Sequence, residues 1–242
     1  MDRAAGVHQY RVHTHSNKWV YNRCGLTNAE WISCLKMTVN GAPVRSLHGR
    51  SKDGPACRAP GCEAERETLS HVLGSCHKGN LLRNARHNKI RTTIAEALRG
   101  KDGLKVYEEV PCIAEKYSSR RVDIIIIDRG KSQAWIVDPT VRYEGGDQQA
   151  TEVDNEKKRI YEPCVRDLKG KYWMEEYEVE VIGLYVGARG TISRFFVDFC
   201  SRFSLPKDLI NRVVTSVLKG SCSILHNHLQ PAARYSYLIV MI

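Results

Sequence analysis

Apolar positions along the chain recur first at helical spacing, then in extended runs, then at helical spacing again. Trp31, Ile32, Cys34, Leu35 and Val39 follow Thr27-Asn28-Ala29-Glu30, whose Thr and Glu have the spacing of a capping box. This predicts a short helix ending near Gly41-Ala42-Pro43, with a polar loop running on to Cys57. Leu82, Ile90, Ile94, Ala97 and Leu98 predict a second helix over 81–98, stopped by Gly100. Three extended segments come next, at 104–114, 121–128 and 133–141. Ser118-Ser119 separates the first two, and Arg129-Gly130-Lys131 joins the last two as a hairpin. A helix is expected from Gln148 to about Leu168, with Val153, Ile160, Tyr161 and Val165 available for packing, and a strand from Tyr177 to Val186. Gly187 and Gly190 break the chain before two helices that flank Leu205-Pro206, and Tyr237 to Ile242 reads as a final strand. The first 26 residues carry His8, His13 and His15 with no apolar period, which predicts an arm of little order.

Composition narrows the class. With 242 residues and 42% hydrophobic content the chain can bury one sizeable core and a small appended module. The net charge of +10 favours a polyanionic partner, because cationic side chains gain affinity by displacing counterions from phosphates. No stretch has the roughly 20 apolar residues of a membrane span, so nucleic acid is the expected partner and membrane is not. Seven Lys or Arg stand against two acids over residues 80–106, which makes the second helix a candidate phosphate-contacting face. Nine cysteines, an odd number, argue for a reducing compartment over a disulfide framework. Cys24, Cys34, Cys112, Cys164, Cys200 and Cys222 have no ligand spacing around them and read as buried thiols.

The other three cysteines do have such spacing. Cys57, Cys62, His71 and Cys76 follow the order Cys-x4-Cys-x8-His-x4-Cys. A turn at Pro60-Gly61 carrying two thiols, opposite a short helix carrying His71, supplies the four tetrahedral donors that structural Zn²⁺ requires. Gly74 is expected to end that helix before Cys76, and His77 is a substitute fourth ligand. Zinc here can staple a segment too small for its own core, or position nucleic acid through Arg58 and the basic helix; the two roles are compatible.

Two carboxylates carry the second candidate chemistry. Asp123 lies in Arg-Val-Asp-Ile-Ile-Ile-Ile-Asp and Asp138 in Ala-Trp-Ile-Val-Asp-Pro-Thr, both within apolar runs where an ionised group needs a partner. A hairpin turn near 130 and 131 pairs positions summing to about 261, which sets Asp123 beside Asp138. Adjacent like charges repel, and a divalent cation such as Mg²⁺ removes that cost. Lys157 or Lys158, on the following helix, can reach the same centre and stabilise charge on a phosphorane; spacing does not choose between them. Glu96 and Glu108 are weaker extra ligands, and Asp128 reads as a turn residue.

The cysteine-histidine cluster, the basic helix, and Arg-Val-Asp followed by Ile-Val-Asp-Pro-Thr-Val-Arg-Tyr-Glu together resemble the C-terminal region of site-specific non-LTR retrotransposon polyproteins of the type that inserts into ribosomal RNA genes, over roughly residues 27–200. The resemblance implies an N-terminal arm and helical segment at 1–50, a zinc knuckle at 51–80 and a restriction-like endonuclease of the PD-(D/E)xK class at 81–242. The implied fold is α/β (α+β), with an αβββαβ core and C-terminal helices. By this match Cys57, Cys62, His71 and Cys76 are the structural zinc ligands, Asp123 and Asp138 the catalytic acids on Mg²⁺, and Lys157 the catalytic lysine. Val122 stands where the family has Pro, and Thr140 where most PD-(D/E)xK enzymes have lysine, a change that a helix-borne lysine accounts for. The implied activity is nicking of duplex DNA in the nucleus to prime reverse transcription, with RNA as a second candidate partner. A zinc-dependent binding module without catalysis is the alternative. No Tyr-x-Asp-Asp polymerase motif occurs, so the chain is expected to be a fragment of a longer polyprotein or a decayed copy.

Overall fold

The computed structural model describes residues 6–230, apart from 48, 50, 51, 116 and 117. The strand expected at 237–242 lies outside the described residues.

The N-terminal segment is packed, contrary to the expectation of a loose arm. Short 3-10 turns at Val7–Arg11, Thr14–Lys18 and Arg23–Gly25 surround a one-turn helix α1 (Trp19–Asn22). It is held by single anchors, which an apolar-period reading does not detect. Trp19 and Leu26 are buried, Gln9 Nε2 donates to the carbonyls of Gly145 and Gly146, and Tyr10 donates to Arg189 O at 2.8 Å. Helix α2 (Asn28–Thr38) begins with the expected capping box, Thr27 and Glu30 each bonding the other's backbone N–H.

Helices α3 (Leu69–Gly74) and α4 (Asn80–Arg99) lead into a four-stranded sheet ordered β1-β2-β3-β4: β1 (Leu104–Ala114), β2 (Ser118–Asp128), β3 (Gln133–Arg142) and β4 (Glu178–Gly187). The first two pairings are antiparallel and β3 runs parallel to β4. Ser118 and Ser119, expected in a turn, begin β2 instead. Between β3 and β4 lie α5 (Gln149–Tyr161) and α6 (Val165–Tyr172). The single expected helix is split by a 3-10 turn at Glu162–Cys164, where Pro163 has no N–H to continue the ladder. Helices α7 (Arg194–Arg202) and α8 (Leu209–Leu229) complete the fold, and the order from α4 to β4 is α-β-β-β-α-α-β. Among the described residues no helix is long and apolar enough to cross a membrane.

The sheet separates two cores. Ile124, Ile126, Trp135 and Val137 enter one shared with α4 and α8, while Ile125, Ile127, Ala134 and Ile136 enter one covered by α5 and α6. Regular alternation should hold this parity along each strand. It inverts in β1 and β2 together: Leu104 and Val106 face the first core, but Val110 and Cys112 face the second, as does Val122. Pairing lapses at the same point, between Glu108↔Ile124 and Val110↔Val122, where Glu109 adopts φ +54°. Asp123 sits at this inversion.

Candidate metal centres

The hairpin has the expected register. Ile124 pairs with Val137 and Asp128 with Gln133, so Asp123 and Asp138 come one step beyond the last ladder pair. Asp128 closes the turn by accepting from Lys131 N at 3.1 Å. Asp138 in turn pairs with Gly183 of β4. Glycine is required there, because a Cβ would lie 2.8 Å from Asp154 Cα, 2.9 Å from Val153 O and 3.0 Å from Lys157 Cγ. Its absence lets α5 lie against the sheet, with Gly183 N donating to Asp154 Oδ1 at 2.9 Å.

That contact separates the two lysines. Lys157 Nζ stands 3.0 Å from Asp138 Oδ2, whereas Lys158 Nζ turns to Asp154 Oδ2 at 2.6 Å. Asp138 is 3% exposed and fully engaged: Tyr161 also donates to Oδ2 at 2.8 Å, and Thr140 donates to Oδ1 at 2.9 Å. Burial and the Asp138 charge push the Tyr161 phenol up, so it stays a donor.

Asp123 is different. It is 8% exposed, and its Oδ2 is buried without a hydrogen bond. His87 Nε2, from α4, stands 3.1 Å away and is its ion-pair partner. Burial, opposed by His87, and then the Asp138 charge hold the Asp123 carboxyl above its usual range. Asp123, against the cost of burial, lifts the His87 imidazole. Two adjacent buried carboxylates, one of them short of hydrogen-bond donors, could hold a divalent cation. Sequence reasoning did not single out His87; a lone histidine among the basic residues of a helix carries no spacing signal.

Much of the charge of the basic helix is directed inward. Arg86 is buried, donating to Ser221 Oγ and Leu73 O. Arg83 caps Cys76 O, Arg91 pairs with Glu108 and Glu109, and Arg99 pairs with Glu108. Glu108 is therefore committed to arginines, and Glu96 lines a surface cleft with Cys24, Lys89 and Arg212. Neither joins the aspartates.

The second centre gathers Cys57, Cys62, His71 and Cys76, whose donor atoms all lie within 4.8 Å of one another. Cys57 Sγ and Cys76 Sγ are 3.9 Å apart, and His71 Nε2 lies 3.3 Å from Cys57 Sγ and 3.4 Å from Cys62 Sγ. A tetrahedron with Zn–S bonds of about 2.3 Å has S···S edges of about 3.8 Å, so this donor set could hold a metal such as zinc. Gly61, at φ +72°, makes the turn between the first two thiols. Helix α3 ends at Gly74 as expected, which brings Cys76 into the cluster; His77 is outside it. Ser75 Oγ lies 3.2 Å from His71 Nδ1, which fixes the ring with Nε2 facing the thiols.

Behind this cluster is a buried carboxylate that the sequence did not flag. Glu67 is 0% exposed and accepts from the Arg58 side chain, from Arg58 N, from Arg45 N and from His228 of α8. Against the cost of burial, these donors hold its carboxyl at about 2. Arg58, expected to reach phosphates, is instead spent inside the protein.

No family model matches the chain. It is similar to curated proteins of Popillia japonica described as "Retrovirus-related Pol polyprotein from type-1 retrotransposable element R2". One is 27% identical over 205 residues, covering 84% of this chain and 33% of that protein; a second is 24% identical over 211 residues, covering 86% and 46%. A third is 26% identical over 206 residues, covering 84% and 28%. The chain thus spans between about a quarter and a half of the length of the curated relatives it matches. Its homologues are R2 non-LTR retrotransposon Pol polyproteins.

Proposed function

We propose that this chain is a metal-dependent DNA endonuclease segment of a retrotransposon polyprotein, with a restriction-endonuclease-like core and a zinc-stabilised knuckle, and that it nicks duplex DNA to prime reverse transcription. The observation that carries this reading is the convergence of Asp123, Asp138 and Lys157 on one sheet position, with Asp123 buried against His87. The relatives' description as Pol polyproteins supports a nucleic-acid substrate.

Asp123 and Asp138 would hold Mg²⁺, which when bound polarises the scissile phosphate. Tyr161 and Thr140 fix the Asp138 carboxylate in one orientation. The Lys157 ammonium, 14% exposed and anchored on Asp138, is positioned to orient water and to stabilise negative charge on the phosphoryl oxygens. Lys158 serves the docking of α5 through Asp154. The knuckle ligands Cys57, Cys62, His71 and Cys76 would hold Zn²⁺ as a structural ion. The reading requires access to chromosomal DNA and therefore the nucleus, and priming brings in RNA as a second partner.

A plasmid-nicking assay with and without Mg²⁺ tests the proposal. Asp123→Ala and Asp138→Ala should each abolish nicking while leaving duplex affinity largely intact. Nicking that survives either change refutes the assignment. One observation favours a binding module without catalysis: both oxygens of Asp138 already have donors. Salt-sensitive DNA binding with no cleavage in Mg²⁺ or Mn²⁺ would select that reading.

A further inference from the structure

We propose that Glu67 and His228 surround and position the Cys57 ligand from behind, and that through them metal binding at the knuckle clasps the C-terminal end of α8. This rests on the reading of Cys57, Cys62, His71 and Cys76 as a metal site.

Cys57 has neighbours beyond its own cluster. His228 Nε2, 171 positions further along the chain, lies 3.9 Å from Cys57 Sγ and 3.0 Å from Glu67 Oε2. The donor atoms of Cys57, Glu67 and His228 all lie within 4.8 Å of one another. They do not make a second ion site, because Cys57 belongs to the first and the Glu67 oxygens are taken by Arg58 and by Arg45 N. What remains is an imidazole N–H facing a carboxylate and a sulfur together. The His228 side chain is 2% exposed and its Nδ1 has no partner among the described residues, so Nε2 is the polar tie of the ring. A metal-bound thiolate keeps negative charge, and a buried N–H beside it both orients it and offsets that charge. Glu67 fixes the other side of Cys57. It accepts from the backbone and side chain of Arg58, the next residue, while Cys57 N donates to Ala64 O at 3.0 Å and Glu67 N to Pro55 O at 2.7 Å, closing the loop that carries Cys57 and Cys62.

The end of α8 is fastened from the same segment. Lys78, just after Cys76, donates through Nζ to His228 O at 3.3 Å and to Gln230 O at 2.7 Å, at a helix end where carbonyls lack partners within the helix. Asn227 Nδ2 donates back to Lys78 O at 3.2 Å. Cys57 and Cys76, from opposite ends of the knuckle, therefore each lead to the last turn of α8. Holding both ligands on one ion holds both tethers, and by reciprocity a docked helix end favours the bound ion.

The test uses the full chain without DNA. Zn²⁺ affinity is measured in competition with a chromophoric chelator, Co²⁺ absorption reports the ligand set, and amide exchange in the last turn of α8 is compared with and without Zn²⁺. Wild-type protein should give the Co²⁺ spectrum of a tetrahedral site with three sulfurs, and zinc should slow exchange at the α8 end. His228→Ala should weaken Zn²⁺ binding by about 10–100-fold, keep the Co²⁺ band positions, and uncouple α8 exchange from zinc. His228→Gln, whose amide nitrogen can take the place of Nε2, should recover most of the affinity. Lys78→Met releases the helix end without touching Glu67; it should also weaken Zn²⁺ binding, and it carries the test where His228→Ala does not fold. Zn²⁺ affinity within about twofold of wild type in both His228→Ala and Lys78→Met, or wild-type α8 exchange indifferent to zinc, overturns the clasp and leaves the four-ligand site standing. Shifted Co²⁺ bands in His228→Ala make His228 a ligand and overturn its positioning role. No Zn²⁺ binding by wild type, or binding undiminished by Cys62→Ser, overturns the metal site and the clasp together.

Discussion

Replacing Gly183 by alanine should disable the acidic centre without touching a charged residue. The new Cβ would lie 2.8 Å from Asp154 Cα and 2.9 Å from Val153 O, both backbone atoms that no rotamer change can move. Restoring ordinary carbon contact, about 3.5 Å or more, lifts α5 by roughly 0.7 Å. The lift acts directly on Lys157, whose Cγ is the third atom in the way and whose Nζ holds Asp138 at 3.0 Å. Overpacking of this kind costs about 1–3 kcal/mol. For a chain of this size that lowers the thermal midpoint by about 2–12 °C, leaving the protein folded at 25 °C. Misplacing a catalytic group by about 1 Å costs on the order of 10²-fold in rate, so nicking should fall by about that factor. Gly170→Ala in α6 is the control: its Cβ meets nothing within 4 Å, and relief of glycine's conformational freedom should stabilise the helix by about 0.5–1 kcal/mol with unchanged nicking. Calorimetry and a plasmid-nicking time course on both variants supply the measurements. Wild-type nicking by Gly183→Ala, at whatever midpoint, refutes the reasoning that close docking of α5 sets the position of Lys157.

Lys157→Ala should reduce nicking by about 10²-fold or more, whereas Lys158→Ala should leave a rate within a few-fold of wild type and act mainly on stability; equal losses would remove the distinction drawn from their different aspartate partners. Glu144→Ala leaves the Arg189 guanidinium, 0% exposed, without its carboxylate, and urea unfolding should register a loss of about 3–5 kcal/mol. Chelation, or Cys62→Ser, should release zinc and expose the 57–76 segment to protease while the sheet amides stay protected from exchange; intact protease resistance without metal would show the knuckle holds itself. Glu108 is partly buried, but the hydrogen bonds from Arg99, Thr92 and Arg91 outweigh that and hold its carboxyl below the usual range. A depressed folded value contributes stability above the ordinary carboxylate value and loses it as pH falls through the folded one. The stability gap between wild type and Glu108→Gln should therefore be full at neutral pH and close below about pH 4; a gap constant down to pH 2 would contradict the sign.

Much of the architecture follows from periodicity alone. The capping box at Thr27 and Glu30, the strands around Ile124 to Ile127 and Ile136-Val137, and the hairpin register are local properties, because side-chain alternation and turn length fix them with few alternatives. The cysteine-histidine spacing is equally local, since Gly61 and the end of α3 at Gly74 bring the four donors together within one short segment.

The remainder depends on contacts between distant segments, and sequence spacing has no purchase on those. The order of the chain leaves Lys157 and Lys158 equivalent, and the tertiary structure separates them through the missing Cβ of Gly183, which sets the height and rotation of α5. The N-terminal segment looked unstructured because its anchors are Trp19 and hydrogen bonds from Gln9 and Tyr10 to residues far along the chain, not a repeating apolar face. Seven cationic residues near α4 suggested a phosphate-binding surface, yet burial of Arg86 and the pairing of Arg91 and Arg99 with Glu108 direct much of that charge inward. His87 had no distinguishing neighbours in sequence; only the packing of α4 across β2 brings its Nε2 to Asp123. Sequence determined which groups are chemically capable, because that is a matter of residue type and short-range spacing. Tertiary structure decided which of them meet, because the balance of burial and charge pairing is set by helices and strands brought together across the whole chain.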